Sequence, residues 1–439
     1  MNKLLRYFRG CAYSSGSRGV LLKSKPILPV FFYKRWLNNE SELVPRTKVG
    51  GWTTITVMPG VGIGPELVAI TMDVLDCAGA RFHYDIVHPE KDENEFECMI
   101  HSVKRNGIGI KASIESKNYK QLFMEPTNNM RLRKIMDLYV DVIECKTFPG
   151  LENKKKIHKN MDIVIMRQNT EGECDLLEHM PIPNVVENIN VMTSFNARRV
   201  SEYAFQYAVK HCRKKVSLLF KEDITRSLPE HLGKKTFQEV AAKYPDITTE
   251  VCSISHAIKK LMKNDKAMDV VVTNSLLGTI LVSILCGIIG SPALLAESNI
   301  GNKAQIFESA IRIRGNKLAG QGVANPTAYI MSGVLALEAT GQNTAACNIR
   351  SALDRIFSEG EVLTKDLGGN ATTQEFAEHL VKLIRERNKM VHCKYDKRPP
   401  LPPTPHHVEP YNPVEDVYFL PNELRKRIEN EIKRSKENE

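Results

Sequence analysis

No acidic residue occurs before Glu40, although eight Lys or Arg do. Removing those eight from the 61 basic residues leaves 53 against 51 acidic, so the formal charge of +10 resides mostly in residues 1–39. A body this balanced has no basic face that demands nucleic acid. Arg, Ser and aliphatic residues without acids are the composition of a mitochondrial transit peptide, and the lack of one long apolar core excludes a secretory signal. The ten cysteines form no Cys-x-x-Cys pair, which excludes the usual zinc spacings and fits buried thiols in a reducing matrix. The loop Pro59-Gly60-Val61-Gly62-Ile63-Gly64-Pro65-Glu66 lacks the last glycine of a G-x-G-x-x-G dinucleotide fingerprint, because Pro65 stands there. Pro65 instead suits the first turn of a helix, with Glu66 set against its dipole.

Charge is also missing from the 27 residues between Asp269 and Glu297. Roughly 20 apolar residues suffice to cross a bilayer, but Thr273-Asn274-Ser275, three glycines and Pro292 break the run. It reads as a buried parallel strand, Val270 to Val272, then a turn, then a helix over Ile280 to Ile289 buried nearly all round. A polar turn at the carboxyl end of such a strand is where α/β enzymes place ligands. The helix offers Thr279 and Ser283 on one face, four residues apart, and neither is a carboxylate.

What is present alternates. Strands are expected over Thr53 to Met58, Arg81 to Val87, Met161 to Met166 and Lys215 to Phe220, with helices to about Ala78 and over Arg198 to Lys210. Gly107 to Lys111 reads as another buried strand end. Alternation to about Arg385 predicts a doubly wound α/β fold, and the length suggests two to three domains. Thr127, Asn129 and Arg133 gather hydroxyl, amide and guanidinium groups that suit a multiply charged carboxylate, or equally a capped helix start with exposed arginines. Lys221, just past a strand, is placed for a site or for solvent. Beyond Asn388 the proline-rich run Lys397 to Pro405 predicts an extended tail ending in a short helix, with Leu424, Ile428 and Ile432 every four residues.

Several blocks then combine in order. They are the Pro59 to Glu66 loop, Asn129-x-x-x-Arg133 with Asp137-Leu138-Tyr139, Arg167-x-Asn169-Thr170-Glu171-Gly172-Glu173, Asn325-Pro326-Thr327-Ala328 and Asp366-Leu367-Gly368-Gly369. Together they resemble the isocitrate/isopropylmalate dehydrogenase family over about residues 53 to 388. Within it, Val142-Ile143-Glu144-Cys145-Lys146 and the spacing from Phe307-Glu308 to Ala324-Asn325-Pro326 are most similar to the γ-type, regulatory branch of the mitochondrial NAD-dependent enzymes. The resemblance implies a discontinuous large domain (53 to 145 and 293 to 388), a small domain (146 to 292) carrying a dimer interface, and one twisted sheet system. It also implies oxidation of a 2-hydroxy acid by NAD followed by metal-assisted decarboxylation, supported by three aspartates, a tyrosine and a lysine lent by a neighbouring subunit.

Carried over residue by residue, the resemblance places the metal aspartates on Thr279, Ser283 and near Ser255, the tyrosine on Cys174 and a substrate arginine on Ile143. Ile311-Arg312-Ile313-Arg314-Gly315 replaces the nicotinamide-nucleotide loop, and Val61 replaces the Asp that normally follows Gly60. Magnesium or manganese needs oxygen ligands that include carboxylate, so no metal and no catalytic cofactor are expected on this chain. What remains is an anion pocket of Thr127, Asn129, Arg133 and Arg167, a relic or lent Lys221, and Asn325 toward a nucleotide. The resemblance implies a matrix regulatory subunit that binds citrate or isocitrate, with ADP beside it, and assembles with a catalytic α-type partner that holds NAD and Mg or Mn. An active metal-dependent NAD dehydrogenase, and a degenerate paralogue acting through its tail, are the competing readings.

Overall fold

A computed structural model describes residues 48–49, 51–114, 126–151, 161–172, 177–221, 227–263 and 268–391. The basic leader, Cys174 and the proline-rich tail with its C-terminal stripe lie outside the described residues. In chain order the strands are β1 (Lys48–Val49), β2 (Trp52–Met58), β3 (Phe82–Ile86), β4 (Ile108–Lys111), β5 (Val140–Lys146), β6 (Asp162–Gln168), β7 (Glu178–Ile182), β8 (Val185–Asn188), β9 (Lys215–Phe220), β10 (Thr248–Ser253), β11 (Val270–Thr273), β12 (Ala296–Ile300) and β13 (Gln305–Ser309). Eleven form one sheet in the order β1-β2-β4-β13-β12-β5-β6-β11-β9-β10, with β3 on the free side of β2, while β7 and β8 pair only with each other.

The fold is α/β. In that sheet β1, β2, β3, β4, β13 and β12 lie on one side of the β5–β6 pair, and β11, β9 and β10 lie on the other. Both flanks are parallel apart from the two-residue β1, which runs antiparallel to β2. The centre is antiparallel, because β12 enters between β13 and β5 and opposes both, and β5 opposes β6. Burial on both faces follows from the twofold alternation of side chains along a strand. Ile163, Ile165 and Val271 enter one apolar cluster, and their neighbours Val164, Met166, Val270 and Val272 enter another.

The uncharged run divides as its punctuation predicts. Asn274 caps the helix Ser275–Ile289 by accepting from the Leu277 N–H at 2.9 Å, and Gly290 ends it at φ 113°. The helix therefore starts about a turn earlier than periodicity suggested. It is not buried nearly all round, which corrects that expectation. Leu276, Thr279, Ile280, Ser283 and Gly287 form a solvent-facing strip three to four residues apart. The strip was hidden in the sequence because two of its five members are themselves large and apolar. The cysteines need a similar correction: Cys145, Cys252 and Cys286 are buried, but Cys98, Cys212 and Cys347 are exposed. Among the described residues no helix is long and apolar enough to cross a membrane.

The glycine loop after β2 is held by the chain itself. Val61 and Ile63 donate their N–H groups to the Ser113 and Arg314 carbonyls at 2.9 Å each. A Cβ on Gly62, whose φ is +69°, would sit 1.9 Å from the Arg314 oxygen, so only glycine fits.

Candidate functional site

Five strands in the middle of the sheet carry charge where a buried sheet is ordinarily apolar. On β12, Glu297 and Asn299 lie on one face, two residues apart, and are 0% and 1% exposed. The register sets Glu297 directly opposite Glu308 on β13, Glu308 opposite Lys111 on β4, Asn299 opposite Asp141 on β5, and Asp141 opposite Arg167 on β6. Two carboxylates face to face repel, and buried charge is tolerated only when paired and hydrogen-bonded.

Cations supply that pairing. The helix Asn128–Ile135 begins at Thr127, whose hydroxyl accepts from the Met130 N–H at 3.3 Å, and its last turn delivers Arg133. Arg133 Nη2 donates to Glu297 Oε1 at 3.1 Å and to Glu308 Oε1 at 3.4 Å. Arg167, at the end of β6, donates to Asp141, to Glu297 Oε2 at 3.2 Å and to Thr279 Oγ1 at 2.8 Å. Arg312, at the exposed rim, reaches Glu297 Oε1 at 2.9 Å and Glu308 Oε2 at 3.3 Å. Lys111 pairs with Glu308 and donates to Asn129 Oδ1 at 2.7 Å. Asn299 donates to Glu308 at 3.0 Å and accepts from Asn169 at 2.8 Å. Four cations thus meet three carboxylates. Burial and the carboxylates of Asp141 and Glu308 push the Glu297 carboxyl well above its usual range, against the pull of Arg167 and Arg133. Burial alone would raise Glu308 too, but Lys111 and Arg133 outweigh it and hold it low.

Gly278 makes the room for this arrangement. A Cβ there would lie 2.8 Å from Arg167 Cδ and 2.9 Å from its Cγ, so the arginine stem crosses the helix at a position without a side chain.

Of the residues singled out in the sequence, the fold brings together Asn129, Arg133, Arg167 and Thr279. Thr127 is an exposed helix cap. Lys221 is exposed past β9, two strands from β6, and its N–H bonds Glu230 Oε2 at 3.2 Å. Ser255 lies in the first turn of the helix Ile254–Met262. Asn325 is buried, accepting from Thr327 Oγ1 at 2.6 Å and donating to Asp366 at 3.0 Å, so its amide is used within the fold. Glu171, from the same block as Arg167, anchors the helix Ser194–Lys210 by accepting from the Thr193 N–H at 2.9 Å and its hydroxyl at 2.6 Å.

The model of the isocitrate/isopropylmalate dehydrogenase family matches residues 54–380. The chain belongs to that family. It is 34% identical to isocitrate dehydrogenase [NAD] subunit gamma, mitochondrial, of Macaca fascicularis, over 80% of this chain and 98% of the relative. It is 33% identical to isocitrate dehydrogenase [NAD] regulatory subunit 3, mitochondrial, of Arabidopsis thaliana, over 79% and 94%. Among solved structures, isocitrate dehydrogenase from Methylococcus capsulatus superposes with a TM-score of 0.69 at 30% identity, covering 76% of this chain and 99% of that one.

A divalent metal, which this family's chemistry employs, finds no suitable donors on the solvent-facing strip. The Thr279 hydroxyl donates back to the Ser275 carbonyl at 2.9 Å and accepts from Arg167, and the Ser283 hydroxyl donates back to Thr279 at 2.8 Å. These neutral oxygens already have partners, and the group nearest Thr279 is a guanidinium, which repels a cation. Among the described residues no three His, Cys, Asp or Glu side chains are disposed to hold a metal ion.

Lys111, Asp141, Glu297, Glu308 and Arg312 were not expected in the site, although Glu308 and Arg312 fall within the family blocks. The signal existed. Glu297-Ser298-Asn299 interrupts an otherwise apolar stretch, and Lys111 closes one.

Proposed function

We propose that this chain is a non-catalytic, regulatory subunit of a mitochondrial NAD-dependent isocitrate dehydrogenase in the matrix, assembled with a catalytic α-type subunit that supplies NAD and metal chemistry. The observation that carries the reading is the helix Ser275–Ile289. Where the family resemblance puts two metal aspartates, it presents Thr279, which accepts from Arg167, and Ser283, both back-bonded to the helix. A chain that cannot fix the metal cannot polarise the substrate hydroxyl or the departing carboxylate. What it keeps is a buried arginine site suited to a polycarboxylate such as citrate or isocitrate.

Assembly has its own support. The β7–β8 hairpin is exposed along its whole length and presents Met180, Ile182 and Val186 at 58%, 61% and 62% exposure. A lone two-stranded ribbon is marginal in water, and such a strip is characteristic of a subunit interface. Its occupant is the catalytic partner.

Co-expression with an α-type subunit is the test. The two chains are expected to co-purify stoichiometrically. The isolated chain is expected to form no NADH from isocitrate with manganese, whereas the complex does. NADH formation by the isolated chain overturns the non-catalytic assignment, and failure to co-purify overturns the subunit assignment.

A further inference from the structure

We propose that Glu297 is a built-in occupant of the arginine site: its carboxylate takes the place of a ligand carboxylate, and a polycarboxylate binds this chain only by displacing it. The inference rests on the reading of that site as one for a polycarboxylate, and it specifies how the site is regulated.

Three guanidiniums converge on this one group. Arg133 and Arg312 donate to Oε1 at 3.1 and 2.9 Å, and Arg167 donates to Oε2 at 3.2 Å. One carboxylate bridged by several charge-assisted donors is the pattern that a bound acid makes with an arginine cluster. The packing of the strand does not call for it. β12 is a central strand, Glu297 is 0% exposed, and its cross-strand neighbours are Ile143 and the like-charged Glu308. An acid at this position is compensated chiefly by the arginines that reach it, with the Asn299 amide donating to Oε1 at 3.3 Å. The cluster is nevertheless approachable, since Thr279, which accepts from Arg167, and Arg312 both stand at exposed positions. An incoming acid therefore meets the rim first and must compete with a tethered carboxylate that is never diluted.

Removing the carboxylate should create affinity. Citrate is the probe, titrated calorimetrically into the full-length chain, wild type and with Glu297→Gln or Glu297→Ser. The first substitution deletes charge and keeps volume; the second also opens space. Either variant is expected to bind citrate at least about tenfold more tightly than wild type, as two or three released charge-assisted bonds allow, and Glu297→Ser/Arg133→Gln is expected to lose the gain. A second readout covers the case of poor folding. Acetate at high concentration should raise the melting temperature of Glu297→Ser more than that of wild type, because it refills the vacated position. Citrate affinities in both variants within about threefold of wild type, or no acetate effect specific to Glu297→Ser, overturn the proposal. Co-purification with the α-type subunit is scored separately. Intact assembly with no gain in citrate affinity refutes the internal occupant alone, whereas lost assembly by wild type refutes the subunit reading.

Discussion

Lys111 is 2% exposed and lies between Glu308 and Asn129, so its removal is a measured test of the charge network. Lys111→Met keeps the aliphatic stem and deletes the ammonium. Glu308 then retains Arg133 at 3.4 Å and Arg312 at 3.3 Å, both longer contacts, and still faces Glu297 across the ladder. Breaking a buried pair by deleting one partner costs about 3 to 5 kcal/mol, because the other charge stays desolvated. The two residual arginines place the expectation near the lower end. Lys111→Met/Glu308→Gln removes both charges and leaves the Gln carbonyl, in the place of Oε1, to accept from Asn299 and Arg133. It should recover about 2 kcal/mol of the loss as a coupling energy. Urea unfolding of the full-length chain, followed by far-UV circular dichroism, gives all three values. A loss below about 1 kcal/mol for Lys111→Met, as for an exposed pair, would refute the claim that this network is buried and internally compensated.

Three further outcomes are expected. Gly278→Ala should destabilise by about 1 to 2 kcal/mol in the same assay, since overpacking against the Arg167 stem outweighs the gain in helix propensity, and a stabilised variant would show that the stem does not cross there. Burial by itself would raise Asp85, but bonds from Ser102 at 2.5 Å and Asn106 at 3.0 Å, together with Arg105, lower it. Its folded value is therefore below the unfolded value of about 3.9, its stabilisation is present above that pH, and it is lost as pH falls through the folded value. Asp85→Asn should flatten the acid limb of the stability curve between about pH 4 and 2, and an unchanged limb would sink the assignment. Ile182→Lys/Val186→Lys should abolish co-purification with the α-type subunit while changing unfolding of the isolated chain by no more than about 0.5 kcal/mol; undiminished assembly would place the interface elsewhere.

Much of the scaffold was legible because strands and turns announce themselves locally. Lys215–Phe220 was expected and found with identical limits, and the Asn274 cap follows from a polar residue before an apolar run. The separation of Thr279 and Ser283 by four residues placed them on one helix face, and they lie there. The hairpin β7–β8 was missed, since its alternating pattern is short and both faces are exposed. The charge network was missed for a different reason. Its register joins residues from five strands, and no local window contains both Arg133 and Glu297, which are 164 positions apart. Sequence supplied the arginines as ligand donors; only the sheet order reveals that the chain carries its own acids to meet them.

The place of β12 between β13 and β5 has a consequence for how the protein is made. Arg133 and Arg167 emerge during synthesis long before Glu297, and Lys111 emerges 197 residues ahead of Glu308. At about 5 to 20 residues per second, Lys111 waits roughly 10 to 40 s for its partner. In the folded sheet the edges of β4 and β5 are joined only through β13 and β12. The middle of the sheet is thus filled by the strands made last, β12 and β13, and these carry the neutralising acids Glu297 and Glu308.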